Sequence, residues 1–123
     1  MKRIICMILT MASGFSFANE FYYGKPARLE GKVQIIKSLH PNQEVFGGNQ
    51  IAIALNHSIS VDGDDGLIKT KLIQLVDENN TRYNRYFKSN YKEIIVDCSE
   101  LFRGHTAHHT TKVLCVVESV KYK

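Results

Sequence analysis

The sequence predicts a mainly β chain of five strands, with one short helix between the third strand and the fourth. Three observations carry that prediction. Residues 28–35 alternate apolar and polar side chains with period two, the aromatic residues of 81–91 recur at helical spacing, and stretches rich in Gly, Asn and Asp separate the apolar runs.

The elements follow in order. Arg28 to Ile35 puts Leu29, Gly31, Val33 and Ile35 on one side and Arg28, Glu30, Lys32 and Gln34 on the other, the pattern of a half-buried strand. His40-Pro41-Asn42-Gln43 and Gly47-Gly48-Asn49 punctuate the next connection. Ile51 to Val61 reads as a second extended stretch, with a break expected near Asn56-His57. Asp62-Gly63-Asp64-Asp65-Gly66 is a turn by composition, and Leu67 to Val76 is the third strand. From Thr81 to Tyr91 the period changes: Tyr83, Tyr86, Phe87 and Tyr91 share one helical face, while Arg82, Arg85 and Lys88 face water. Lys92 to Asp97 and Val113 to Val120 supply the last two strands, joined by a loop from Ser99 to Thr111. Five strands with a helix after the third is the order of an OB-fold, a Greek-key barrel, and the aromatic helix would plug one end of it. A two-sheet sandwich usually needs about seven strands.

The first eighteen residues read as a signal peptide. Lys2 and Arg3 open it, Ile4 to Met11 is apolar apart from Thr10, and Ser16-Phe17-Ala18 offers small residues for cleavage before Asn19. The apolar run is shorter than the roughly 20 residues a membrane helix needs. The expected product is therefore a single OB-fold-like domain over residues 19–123, periplasmic or secreted, with no membrane anchor after cleavage. The whole chain carries a net charge of +4, and loss of Lys2 and Arg3 lowers it to +2, too small to argue for nucleic acid on charge alone, so nucleic acid is not the expected partner. Of three cysteines, Cys6 leaves with the signal. In an exported chain Cys98 and Cys115 are most simply a disulfide, worth about 3 kcal/mol in the chain-entropy model, and two free thiols are the alternative.

The run from Leu101-Phe102-Arg103-Gly104-His105-Thr106-Ala107-His108-His109 into Val113-Leu114 resembles the closing segment of a family of small exported bacterial domains of unknown function, number 4431 among such families. Ala27-Arg28-Leu29-Glu30-Gly31-Lys32-Val33 is similar to that family's opening strand. Leu55-Asn56-His57-Ser58-Ile59-Ser60-Val61 stands where members have an apolar strand end and a short turn. Thr110 and Thr111 depart from the third His and the Pro common there. The resemblance implies a bacterial, periplasmic protein with an OB-like barrel and brings no established activity.

His105, Thr106, His108 and His109 form the candidate ligand-binding loop. The three imidazoles could hold a divalent metal such as zinc with one coordination position open, and Asp97 or Glu100 could orient a ring. No fixed metal-site spacing applies, and Thr106 and Thr110 suit a loop tied by local hydrogen bonds, so the structural reading is preferred. Arg82 to Lys88 interleaves basic and aromatic residues as nucleic-acid platforms do, but on a helix the aromatic face is more economically core. Asp62, Asp64 and Asp65 fail as a calcium loop because its fifth and twelfth positions hold Gly66 and Ile73. No phosphate loop, nucleophile elbow or zinc-protease helix motif is present. The reading favours a non-enzymatic binding or interaction module for an unknown protein or small ligand. Its alternatives are a metal-binding protein or small metalloenzyme, and an inhibitor or immunity-type partner of another exported protein.

Overall fold

The computed structural model describes residues 21–38, 42, 48–63, 66–104 and 109–123. The expected signal peptide, the turn residues His40, Pro41 and Gln43, Gly47, Asp64 and Asp65, and His105, Thr106 and His108 lie outside the described residues. The elements are β1 (Phe21–Tyr22), β2 (Ala27–Lys37), β3 (Asn49–Gly63), β4 (Gly66–Val76), α1 (Asn80–Phe87), β5 (Glu93–Arg103) and β6 (Val113–Tyr122).

Strand pairing runs β1-β3-β2-β5-β6-β4, and β3 also pairs with β4, so the five long strands close into a ring. β4 and β6 run parallel, and the other pairs among the long strands are antiparallel. This is the expected mainly β, OB-fold-like Greek-key barrel with its helix after the third long strand. The addition is β1, a two-residue strand parallel to β3.

The alternation of β2 is what lets it serve two partners. Leu29 and Val33 are buried, while Arg28, Glu30 and Lys32 are exposed. Its first half pairs with β5 and its second half with β3, and both ladders meet at Gly31 and Lys32. A Cβ at Gly31 would overlap the Ala54 carbonyl and stand 2.9 Å from Leu55 Cα. Glycine is needed because two backbones converge there. The break expected in β3 is present as a register shift between Ala54 and Ile59.

Inward-facing Val33, Ile53, Ile73, Ile94, Val96, Leu101 and Val113 join Tyr86 in one buried cluster. Helix α1 closes one end of it. Asn79 caps the helix, its Oδ1 accepting from Arg82 N at 2.9 Å. Tyr86 is fully buried, and Tyr83 and Phe87 pack against the cluster, with Tyr83 edge-on to Phe87 at 5.3 Å. Arg85 sits 4.0 Å above the Tyr122 ring.

Two expectations need correction. The helix ends at Phe87, not Tyr91, because the chain leaves to pair with β2: Tyr91 N donates to Val33 O, and Val33 N donates to Lys92 O. Tyr91 adopts a φ of 68° and is 70% exposed, so it is no part of the aromatic face. The loop expected from Ser99 is strand as far as Arg103, since β5 keeps pairing with β6 to Arg103↔Val113.

Cys98 and Cys115 are joined by a disulfide between β5 and β6, with a Cα separation of 5.5 Å. The bridge therefore lies within the barrel wall, Cys115 two positions into β6 and Cys98 midway along β5. Among the described residues, no helix is long and apolar enough to cross a membrane.

Candidate functional site

The C-terminal foot of the histidine loop is bound to the barrel rim by side chains from two other strands. Gln74, buried on β4, accepts from Thr110 N at 2.8 Å through Oε1, and its own backbone N donates to Thr111 Oγ1 at 2.9 Å. Thr111 Oγ1 in turn donates to Val113 O at 2.6 Å, and Thr110 Oγ1 donates to Gln50 Oε1. The other foot is Gly104, whose N donates to Lys112 O at 3.0 Å. A Cβ there would overlap Thr111 O, which is why glycine occupies the crossing. Threonines tie this loop, as their hydroxyls suggest, but through Gln50 and Gln74, which carry no sequence signal beyond being polar residues in apolar strands.

His109 is half-buried and meets the Phe102 ring edge-on at 5.7 Å. His105, Thr106 and His108 are outside the described residues, and among the described residues no group of three metal-ligating side chains converges. Asp97, the expected orienting carboxylate, is engaged elsewhere. It accepts from Arg28 Nε at 2.8 Å, from Arg28 Nη2 at 3.3 Å and from Ser119 Oγ at 3.2 Å. The Arg28 hydrogen bonds hold its carboxyl below the usual range.

A second place has more room. The β2–β3 ladder stops at Gly31↔Leu55, yet both strands continue, β2 back to Ala27 and β3 on to Gly63. They diverge because the extra residues between Ala54 and Ile59 swing β3 toward β4. Between them lies a groove of about 520 Å³. Leu29 and Leu55, both buried, form its floor, Phe21 of β1 closes one end, and Asn56, His57, Ser58 and Ser60 line the β3 side. On the β2 rim stand Arg28, paired with Asp97, and Glu30, paired with Lys123 Nζ at 3.1 Å. An apolar floor under a polar rim suits binding of a small or extended ligand, and its volume falls in the range of about 300–1,000 Å³ typical of such sites. Sequence reasoning marked the interruption at Asn56-His57 as a break in a strand. It did not show that the break opens a cleft.

Among the described residues, the acidic side chain with the densest hydrogen bonding serves structure. The Asp77 carboxylate is fully buried, accepting from Arg82 Nε at 2.7 Å, Arg82 Nη2 at 2.9 Å, Tyr86 Oη at 2.6 Å and Asn79 N at 3.0 Å. Burial pushes its pKa up, but the hydrogen bonds from Arg82, Tyr86 and Asn79 outweigh this and hold it below the usual range. Burial, with the bond to Asp77, pushes the Tyr86 hydroxyl far upward, so it stays protonated as a donor. Arg82 also donates to Glu118 O at 3.2 Å, tying the helix to β6.

Residues 72–121 match the family described as Domain of unknown function (DUF4431). The match runs from β4 through α1 and β5 into β6 and so takes in the histidine loop, while the residues lining the β2–β3 groove lie before it. No curated protein matches the chain.

Proposed function

For a chain whose residues 72–121 match a family without a stated function, we propose a non-enzymatic binding module, exported to the periplasm, whose ligand sits in the groove between β2 and β3. The observation that carries the reading is that groove: about 520 Å³ of space over Leu29 and Leu55, opened by the parting of two strands that pair elsewhere along their length. A disulfide in the barrel wall and the leader-like residues 1–18 support the exported setting. The neutralised charges at the groove rim, Arg28 by Asp97 and Glu30 by Lys123, support recognition by shape and hydrogen bonding over charge.

The histidine loop takes a supporting part in this reading. Its described foot is fastened by Gln50 and Gln74, which keeps the rim between β5 and β6 in shape. A library of small sugars, nucleosides and amino-acid derivatives, screened by amide chemical shifts of the ¹⁵N-labelled protein, tests the proposal. Saturable binders should move the amides of Arg28 to Glu30 and Asn56 to Ser60. A screen whose binders all map elsewhere, or that yields no saturable binder, removes the groove as the functional site.

A further inference from the structure

The walls of the groove are strand edges, and their peptide groups can be assigned a direction. Val33 N donates to Lys92 O and Val33 O accepts from Tyr91 N, so odd-numbered residues of β2 turn their peptide groups toward the β5 side. Even-numbered residues turn theirs toward β3, as the Ser38 N bond to Gly48 O shows. Arg28 therefore presents its N–H and its C=O to the groove, where the β2–β3 ladder offers no partner among the described residues. On the opposite wall, Asp62 O accepts from Tyr23 N, so even-numbered residues at that end of β3 face β1. Ser60 shares this direction: the Phe21↔Val61 pair engages its C=O with Phe21 N, and its N–H points past the described end of β1 into the groove.

We infer that the groove binds an extended, uncharged peptide segment of another polypeptide, which adds as a short strand between β2 and β3 along the line of β1. The inference rests on the proposed function and names its ligand class. Three features select this occupant. The N–H and C=O of Arg28 on one wall and the N–H of Ser60 on the other match a strand's two edges, and unpaired edges are where such addition occurs. The wall from Asn56 to Ser60 accommodates about four residues, ~13 Å at the rise of a strand. The floor of Leu29 and Leu55 accepts apolar side chains at alternate positions, while Arg28 and Glu30 already have their counter-charges in Asp97 and Lys123, so neither calls for a charged ligand. β1 already holds this line at its far end, paired to β3 in parallel.

Amide hydrogen exchange on the exported chain tests the inference, with the blocked peptide acetyl-Val-Thr-Val-Thr-amide as probe. In the free protein the Arg28 and Ser60 amides should exchange at least about tenfold faster than those of Leu29 and Val33, which face β5, and saturating peptide should slow them by about tenfold or more. A peptide of the same side chains methylated on alternate backbone nitrogens should give no such slowing. Exchange unchanged by the peptide, or slowed equally by the methylated one, overturns strand addition. So does slow exchange in the free chain, which would mean that the chain's own residues before Phe21 or a second copy already fill the groove. Small molecules that move the groove amides while the peptide does not would sink this inference and leave the proposed function standing.

Discussion

Replacing Tyr86 by Phe removes a single oxygen from the centre of the helix–barrel junction and leaves the ring in place. Tyr86 is fully buried and its hydroxyl donates to Asp77 Oδ2 at 2.6 Å, so the substitution deletes a charge-assisted hydrogen bond without making a large cavity. Such bonds contribute about 1.5–3 kcal/mol. The carboxylate keeps Arg82 and Asn79 N as donors, which places the expected loss near the middle of that range, about 2 kcal/mol at pH 7. The pH dependence has a definite sign. Asp77 has its pKa depressed in the folded protein, so its stabilisation is complete above the unfolded-state value of about 4 and is lost as pH falls through the folded value. Without the Tyr86 hydroxyl the depression is smaller, and the gap between parent and variant should narrow below about pH 4. Urea unfolding at pH 7 and at pH 3, followed by circular dichroism, measures both. A loss under about 0.5 kcal/mol at pH 7, or a gap that widens on acidification, would refute the assignment of this bond as the junction's fastening.

Reduction of Cys98–Cys115, which are 17 positions apart, should cost about 3 kcal/mol, read as the difference between urea curves with and without reductant. Gly31→Ala should destabilise by at least about 2 kcal/mol, because the new methyl overlaps the Ala54 carbonyl where two strands converge; thermal unfolding would show it, and an unchanged midpoint would contradict the close approach. Thr111→Val removes the acceptor for Gln74 N and should cost about 1–2 kcal/mol, with the largest amide shift changes at Gln74 and Thr110. Arg28→Ala breaks an exposed ion pair and should leave the unfolding midpoint essentially unchanged in the same assay.

The barrel was legible because its strands are faced on one side. Alternation over residues 28–35 located β2, and apolar runs located β3, β4 and β6, since burial of one sheet face leaves a period-two mark. The interruption at Asn56-His57 was legible for the same reason: three polar residues, Asn56, His57 and Ser58, break an apolar alternation. The helix end was not. Tyr91 continues the helical spacing in sequence, but the backbone of residues 91–92 docks on β2, and hydrogen bonds to a strand some sixty positions away leave no local trace. Strand β5 overran its expected end because Ser99 and Glu100 are exposed polar residues on a wall facing water, a pattern that also suits a loop. The groove was invisible for a further reason. It is made by the separation of two strands, and no residue type encodes a gap.

The position of β6 in the ring governs when the barrel can form. It is the last of the described strands, yet it lies between β5 and β4 and supplies the parallel seam that joins them. A chain emerging from its N-terminal end can zip β2, β3 and β4 in turn by antiparallel pairing, but those strands stay an open sheet until Val113–Tyr122 arrives. Cys115 travels on that same strand, so Cys98, which emerges 17 positions earlier, meets its partner only as β6 docks. Oxidation and ring closure are thereby scheduled together, since Cys98 reaches Cys115 only when β6 pairs with β5.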